Sequence, residues 1–313
     1  MHVFVTGATG VIGRRVVPLL TAAGHHVTAI ARSPGKRAAL EREGATAVSV
    51  ELFDSGKLRP LMAGHDAVVN LATHMPASST RMLLPGAWRE NDRVRREGSA
   101  ALVDSALAAG VPRFIQESFA PIYEDGGDSW LDEGSPVRPA PYNRSVLDAE
   151  ESAARFAAAG GAGVVLRFAL FYGHDARTLH DMLGMMRKGW APLPGARSAF
   201  VSSLAHDDAA TAVVAALGLP GGTYNVADDE PLPRGEWTDT LADAFGIARP
   251  KPLPGWLVKL AGPTMELLGR SQRMSNRKLR EAAGWAPAFP SAAAGWKDVA
   301  MRMREGTAPM WEA

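Results

Sequence analysis

The chain begins with an apolar strand, a glycine turn and an amphipathic helix, in the run HVFVTGATGVIGRRVVPLLTAAG. Within it, Gly7, Gly10 and Gly13 follow a G-x-x-G-x-x-G spacing. Glycine lets the backbone turn sharply where a strand ends, and the N–H groups that begin the following helix then face a pyrophosphate. Because the motif lies between a strand and a helix, it predicts a dinucleotide site rather than only a tight turn.

Further strands are predicted, with helical patterns between them, at AVSVELF, DAVVNLAT, RFIQES and GVVLRFALF. Strands that alternate with helices imply right-handed crossovers and an α/β fold with a doubly wound parallel sheet of the Rossmann type. The ligand crevice of such a sheet lies at the carboxyl ends of its strands. The residues expected there are Thr6, Arg32, Leu71, Ala72 and Ser118.

The balance of charge narrows the class of ligand. The 313 residues include 34 Lys and Arg against 33 Asp and Glu, and a net charge of +1 gives no electrostatic reason to expect nucleic acid or an anionic membrane. Cysteine is absent, which excludes a disulfide framework and a thiolate metal site, and no metal site is predicted. Apolar runs such as AATAVVAALGL are too short to span a bilayer, and no basic leader precedes the first strand. We therefore expect a cytoplasmic protein whose partner is a small molecule.

The second strand, in HHVTAIARSP, ends at Arg32, and Lys36 and Arg37 follow closely. A cofactor with a free ribose 2′-hydroxyl requires an acidic acceptor at this position, whereas a 2′-phosphate requires a guanidinium. The basic residues therefore favour NADP over NAD, and NADPH over NADH as the reductant. The other interpretation is a solvated basic start to the next helix.

Several segments together resemble an extended short-chain dehydrogenase/reductase, the superfamily of NAD(P)-dependent epimerases and dehydratases. TGATGVIG is similar to the cofactor loop of that family, VELFD to its adenine-side segment, NLATH to the segment beneath the nicotinamide ribose, and LRFALFYG to the strand that closes over the nicotinamide. The resemblance continues toward the C-terminus, where HDDAATAVVAAL, GTYNVADDEPLPRGEW and NRKLREAAGWAP are similar to the smaller substrate domain of the superfamily.

The resemblance implies which residues hold the cofactor and how the chain divides. Besides the three glycines and Arg32, the cofactor residues that it implies are Thr9, Val11, Ile12, Glu51, Leu52, Leu71, Ala72, Thr73 and Phe168. It also implies an NAD(P)-binding Rossmann domain over residues 1–165 and a smaller C-terminal α/β domain over 166–313 that mainly binds substrate. Segments at about 200–228 would return to the Rossmann sheet. Members of the family often dimerise through a helical pair, which leaves a homodimer open.

The segment PYNRSVLDAE resembles the Tyr-x-x-x-Lys helix of this family, with Tyr142 in the tyrosine position and Val146 in place of the lysine. In the family, the tyrosine passes a proton to or from the substrate oxygen, and the lysine lowers the tyrosine pKa. Since valine carries no charge, we expect the pKa of Tyr142 to lie near the ordinary value of ~10. A protonated phenol suits reduction, whereas oxidation needs a tyrosinate. Tyr142 could instead be a half-buried packing residue.

Ser118, in QESFAPIY, is the candidate for the hydroxyl that polarises the substrate oxygen in the family. Counting back from Tyr123 without a gap puts Phe119 in that position instead, and a one-residue shift across Pro121 restores Ser118. The assignment of the catalytic hydroxyl to Ser118 therefore depends on this one-residue shift.

Arg95 stands where the family has an asparagine, three residues before Gly98. Its guanidinium would supply positive charge to the tyrosine in place of the lysine, and Arg144 is a second candidate for this role. The other interpretation is that Arg93, Arg95 and Arg96 form a solvated helix face, which we expect for at least two of the three.

The substrate side is predicted from His74, Met75, Phe119 and Leu170. His74 begins a long loop and is either a second proton donor or a loop residue bonded to backbone. Leu170 stands where sugar-nucleotide enzymes of the family usually carry an asparagine, so a UDP-sugar is disfavoured. The apolar character of the set predicts a modest-sized, rather apolar substrate, unless these side chains belong to the core.

The residues and the resemblance together predict an NADPH-dependent reductase of an apolar carbonyl or enone. Two other classes stay open, namely a cofactor-binding regulator without turnover and a redox-neutral lyase, cyclase or epimerase. The run HDD, His206 to Asp208, coincides with a predicted helix start, where aspartates cap free N–H groups, so it is not assigned to a metal. A fold does not by itself define the reaction.

Overall fold

A parallel sheet lies at the centre of the molecule, which the computed structural model describes over residues 1–76, 81–84, 86–255 and 262–306. Within these ranges the strands are β1 His2–Thr6, β2 His26–Ile30, β3 Thr46–Val48, β4 Ala67–Asn70, β5 Arg113–Phe119, β6 Trp130–Leu131, β7 Ala162–Phe168, β8 Leu170–Tyr172, β9 Phe200–Val201, β10 Ser203–Ala205, β11 Gly222–Val226, β12 Leu232–Pro233 and β13 Arg273–Met274. Seven of them make one parallel sheet in the order β11-β7-β5-β4-β1-β2-β3. The predicted doubly wound parallel sheet is confirmed.

Helices cover both faces of this sheet. In the described ranges they are α1 Gly13–Ala22, α2 Pro34–Arg42, α3 Ser55–Met62, α4 Arg89–Arg93, α5 Ser99–Ala108, α6 Ser145–Ala158, α7 Arg177–Arg187, α8 His206–Ala215, α9 Arg234–Ala244, α10 Pro263–Gly269, α11 Arg277–Ala283 and α12 Ala292–Arg304. α1, α8 and α11 pack on one face, and α3, α5 and α6 pack on the other. No helix within those ranges has the length and apolar character needed to cross a bilayer.

The strands are apolar on both faces because both faces are covered. In β1, Val3 and Val5 enter the core beneath α1 and α8, whereas Phe4 enters the core beneath α5 and α6. All three side chains are fully buried. Continuous apolar runs are expected in a parallel sheet of this kind. Burial of each such side chain stabilises the folded state by about 1.5–3 kcal/mol.

The order of the strands creates a crevice next to β1. The chain passes from β1 to β2 and β3 on one side and then returns to β4 on the other side, so β1 lies between β2 and β4. Ligands of open parallel sheets bind where the strand order reverses, outside the carboxyl ends of the strands. Here those ends are Thr6 of β1 and Asn70 of β4, which are paired in the sheet.

A second core lies in the C-terminal part of the chain, among α7, α9 and α12. Trp237 and Trp296 are its largest buried side chains, and Tyr172 of β8 packs against Trp296. Between β10 and β12 the chain returns to the main sheet, because α8 packs on α1 and β11 pairs with β7.

Two predicted strands are shorter than the sequence pattern indicated. The run AVSVELF forms a strand only over β3, and Asp54 then accepts a hydrogen bond from Lys57 N (3.1 Å) to cap α3. The run GVVLRFALF is divided between β7 and β8 at Ala169. There the chain changes partners, since Ala169 N donates to Val226 O and Leu170 N donates to Ser202 O.

Candidate functional site

The glycine turn after β1 brings backbone segments into unusually close contact. Gly7 has φ +67°, and a Cβ at this position would lie 2.3 Å from Leu71 O. A Cβ at Gly13 would lie 2.2 Å from Gly7 O. Because only glycine fits at these two positions, the turn closes tightly and presents the start of α1 to the crevice, as a diphosphate site requires. The other predicted loop residues, Thr9, Gly10, Val11 and Ile12, are partly or fully exposed.

Asn70 holds the ends of the neighbouring strands together. Its Oδ1 accepts hydrogen bonds from Thr6 Oγ1 (2.6 Å) and from Ala72 N (3.2 Å). Its Nδ2 donates to Gln116 Oε1 (2.9 Å) and to Ser99 Oγ (3.2 Å). These bonds fix the segment that follows β4, which contains the predicted cofactor residues Leu71, Ala72 and Thr73.

The basic residues after β2 are all exposed. Arg32 follows β2, and Ser33 caps α2 by accepting a hydrogen bond from Lys36 N (3.4 Å). Lys36 and Arg37 therefore lie in the first turn of α2, which contains no acidic residue. A helix N-terminus carries partial positive charge, so cations there are unfavourable unless an anion binds nearby.

The predicted adenine-side residues lie beside the helix that follows α4. Glu51 is exposed, and Leu52 packs on Gly98, where a Cβ would lie 2.6 Å from Leu52 Cδ2. The guanidinium of Arg93 covers the ring of Phe53 at 3.9 Å. On the nicotinamide side, Phe168 at the end of β7 is fully buried.

Tyr142 lies in a short 3₁₀ turn, Pro141–Asn143, immediately before α6. Its ring contacts the ring of Trp88, with 4.8 Å between centroids. Burial raises the pKa of Tyr142 well above the ordinary value, and the positive charges of Arg95 and Arg270 oppose the rise only in part. The expectation that this pKa stays near ~10 is therefore wrong, because desolvation of the tyrosinate dominates. Val146, at the lysine position, is fully buried in α6.

Arg95 is buried on a π-helical turn, Val94–Gly98, that joins α4 to α5. Its Nη2 lies 3.1 Å from Glu117 Oε1, and its Nε has no hydrogen-bond partner in the described part of the chain. An inserted π turn shifts the register of a helix and is frequent at functional sites. Arg95 thus places a desolvated cation near Tyr142.

Arg93 and Arg96 differ from Arg95 in their surroundings. Both are exposed, and they pair with Glu97 and Asp148 respectively, each at 3.1 Å. A solvated helix face therefore describes these two arginines, as expected for at least two of the three, but it does not describe Arg95.

Ser118 is fully buried, and its hydroxyl donates to Glu150 Oε1 at 2.5 Å. Arg167 binds the same carboxylate through Nε (2.8 Å) and Nη2 (2.7 Å). Phe119, the next residue of β5, is partly exposed. Because successive strand residues point to opposite faces, Ser118 and Phe119 lie on different sides of the sheet. The hydroxyl of Ser118 is thus engaged by an internal ion pair.

The predicted substrate residues lie toward solvent. His74 and Met75 are exposed, and His74 N donates to Asn91 Oδ1 at 2.9 Å. Leu170, the first residue of β8, is partly exposed. The long loop predicted from His74 begins here, and residues 77–80 and 85 lie outside the described ranges.

α8 begins at His206, as the run HDD predicted, but none of these side chains caps it. His206 Nδ1 instead contacts Asp175 Oδ1 at 2.8 Å, and Asp207 pairs with Arg15 at 2.6 Å. Asp208 accepts hydrogen bonds from two backbone N–H groups of the segment before α12. The three side chains therefore join distant segments of the chain, and the capping prediction is wrong.

The sequence did not point to three residues that shape this site, namely Trp88, Glu117 and Glu150. One signal was available, since Glu117 interrupts the apolar strand RFIQESF. A carboxylate in a buried strand must find a cation or a strong donor, which would have directed attention to a buried arginine.

Comparison with known proteins identifies the family. Residues 7–162 match the family model described as NAD(P)H-binding. A 3-diazoavenalumate denitrifying reductase from a Streptomyces species is 34% identical over 310 residues, which cover 95% of this chain and 98% of the relative. A 2-alkyl-3-oxoalkanoate reductase from Shewanella oneidensis is 28% identical over 79% of this chain and 66% of the relative.

A solved structure of human epimerase family protein SDR39U1 with NADPH is 23% identical and superposes with a TM-score of 0.78 over 96% of this chain and 99% of that one. This likeness supports the fold. The chain belongs to the extended short-chain dehydrogenases/reductases, the NAD(P)-dependent epimerase/dehydratase family. It is an NAD(P)-dependent oxidoreductase, as the sequence predicted.

Replacing Gly13 by alanine is expected to weaken cofactor binding and to destabilise the fold. The added methyl group would meet the backbone oxygen of Gly7, and such overpacking costs about 1–3 kcal/mol. Gly184→Ala in α7 is the control, since a Cβ there meets nothing within 4 Å and alanine favours a helix. Thermal unfolding with and without NADPH measures both effects, and equal results for the two variants would contradict the role of Gly13.

Proposed function

We propose that the chain is an NADPH-dependent reductase of a modest-sized, rather apolar carbonyl or conjugated substrate. Tyr142 is the proton donor, and Arg95 supplies the positive charge that Val146 cannot. The observation that supports this proposal is that the positive charge of the buried Arg95 acts on the phenol of Tyr142, whose pKa burial has raised. Bound NADPH would supply the hydride.

The state of Tyr142 sets the direction of the reaction. Because burial raises its pKa, the phenol keeps its proton throughout the physiological pH range. A protonated phenol can donate to a substrate oxygen that gains negative charge as its carbon accepts a hydride. The reverse reaction needs a tyrosinate, which this environment disfavours. Solvent then returns a proton to Tyr142 before the next turnover.

Arg95 would make this donation easier. When the proton leaves, negative charge develops on the Tyr142 oxygen, and a nearby cation stabilises it. Arg95 is buried, which strengthens the interaction, and its Nε is not committed to another group in the described residues. Glu117 holds the guanidinium in place but also offsets part of its charge.

The cofactor-side residues fit NADPH. Gly7 and Gly13 provide the close backbone turn at the start of α1, and Arg32 ends the second strand. Lys36 and Arg37 crowd positive charge onto the first turn of α2, an arrangement that a 2′-phosphate would stabilise. This local electrostatic imbalance supports a preference for NADPH over NADH.

The proposed substrate class rests on the relatives and on Leu170, which stands where sugar-nucleotide enzymes of the family usually carry an asparagine. The two relatives named above are reductases, one of a diazo compound and the other of an oxoalkanoate. The side chain of Leu170 at the start of β8 offers no hydrogen bond to a sugar nucleotide, and the other predicted substrate residues Met75 and Phe119 are also apolar. Ser118 stays a prediction as the polarising hydroxyl, since that role would require its bond to Glu150 to break.

Tyr142→Phe is expected to lower kcat about 100- to 10,000-fold, the range typical of positioned proton transfer. NADPH affinity should stay within about twofold, because the hydroxyl is proposed to act on the substrate. The measurement is NADPH oxidation over aldehydes, ketones, enones and a diazo-substituted aromatic acid. Tyr224→Phe is the control, because it removes a hydroxyl that donates to Pro220 O. Tight NADPH binding without turnover in the wild type would instead favour a regulator.

Arg95→Gln is expected to lower kcat about tenfold, since a cation near a tyrosinate commonly shifts its pKa by one unit or more. Arg95→Lys keeps the charge and should retain most of the activity. Glu117→Gln removes the offsetting carboxylate and should not slow the reaction if the protein folds. Unfolding temperature and NADPH affinity are measured in parallel. Unchanged kcat and cofactor affinity in Arg95→Gln would show that another group compensates for Val146.

Arg32→Glu is expected to shift cofactor preference from NADPH toward NADH. A carboxylate would repel the 2′-phosphate and accept a hydrogen bond from a free 2′-hydroxyl. The kcat/KM for NADPH divided by that for NADH should fall by at least about tenfold. This is the size expected for the loss of one charge-assisted contact. Arg42→Glu, at the other end of α2, is the control. An unchanged ratio would mean that Arg32 is only a solvated helix-start residue.

A further inference from the structure

The first residues of α1 carry two arginines directly behind the cofactor turn. Arg14 N donates to Gly10 O at 3.0 Å, and the Arg15 guanidinium donates to Val11 O at 2.8 Å. Both residues therefore touch the loop that the glycines form. Neither has a part in the proton transfer assigned to Tyr142.

Both arginines bind one buried carboxylate from the other half of the chain. Asp175 follows β8, and its side chain is 4% exposed. It contacts Arg14, and it lies 2.8 Å from Arg15 Nη2. Arg15 also pairs with Asp207 at 2.6 Å, but the side chain of Asp207 is 44% exposed. Asp175 is thus the desolvated anion beneath the cofactor turn.

His206 orients this carboxylate. Its Nδ1 lies 2.8 Å from Asp175 Oδ1, and burial together with the charge of Arg15 lowers the pKa of His206 to about 3. The neutral imidazole can therefore donate a hydrogen bond without adding charge. The close approach depends on Gly173, where a Cβ would lie 2.4 Å from His206 Nδ1.

We propose that Asp175 is a positioning residue for the cofactor. It fixes the glycine turn that would bind the cofactor diphosphate, and it does so through Arg14 and Arg15. The carboxylate belongs to the part of the chain that follows β8, so that part would control how well the turn is organised before the cofactor arrives. A turn that is already ordered binds its ligand without a further entropic cost. Loss of the charge on Asp175 removes the buried anion that Arg14 and Arg15 share, although Arg15 keeps its contact with Asp207. This loss lowers cofactor affinity, while the chemical step at Tyr142 is left intact.

Asp175→Asn in the whole 313-residue chain tests the proposal, because asparagine keeps the shape of the side chain and removes its charge. The Kd of NADPH, measured by fluorescence titration, is expected to rise about tenfold or more, a usual size for coupling between separate sites. kcat at saturating NADPH should change by less than about twofold, so that the effect appears in affinity alone. Asp207→Asn, which touches the same Arg15 from the exposed side, is the matched control and should leave the Kd within about twofold.

A second variant covers the case in which Asp175→Asn does not fold. His206→Gln keeps every charge of the cluster but removes the imidazole that holds the Asp175 carboxylate. It should also raise the Kd of NADPH. Unfolding temperatures without cofactor are recorded for all variants. A fall in unfolding temperature with the Kd of NADPH unchanged would show that Asp175 and His206 serve stability alone, and would overturn the proposal. This result would leave the assignment of Tyr142 untouched, because kcat tests that assignment separately.

Discussion

The close contact between the backbones of Gly7 and Leu71 is the constraint on which the rest of the site depends. It joins the end of β1 to the end of β4, where the strand order reverses, and it leaves no room for a side chain at position 7. Asn70 completes the junction by bonding Thr6 on one side and Gln116 on the other. With these ends fixed, α1 can begin only in one direction, and its first turn faces the crevice. The ion cluster around Asp175 then ties the same turn to the C-terminal part of the chain.

Desolvation sets the state of the candidate proton donor. Tyr142 packs against Trp88, and the lysine position is occupied by the buried Val146, so no amine there lowers the phenol pKa. In the proposed mechanism the compensating charge is that of Arg95, which a π turn buries beside Glu117. The raised pKa of Tyr142 keeps the phenol protonated. In the proposed function this state favours reduction, because the reverse reaction would need a tyrosinate.

The fold could be predicted from the sequence because its signals are local. The glycine spacing, the apolar runs and the helical patterns each correspond to one element, and together they gave the parallel sheet and the cofactor turn. The features that escaped prediction depend on residues far apart in the chain. Nothing near Tyr142 in sequence shows that burial raises its pKa, and the pairing of Ser118 with Glu150 depends on how α6 packs on β5 and β7. The run HDD was assigned to capping because its real partners, Asp175, Arg15 and the segment before α12, lie in other parts of the chain.

The pH dependence of kcat between about pH 6 and 10, with NADPH and a substrate both saturating, decides whether Tyr142 is the proton donor. If Tyr142 is the proton donor, kcat should show no fall across this range, because burial raises the pKa of its phenol above the ordinary tyrosine value of ~10. A loss of activity as the pH rises from about 6 to 8 would show that Tyr142 is not the donor, since that range is typical of an imidazole donor.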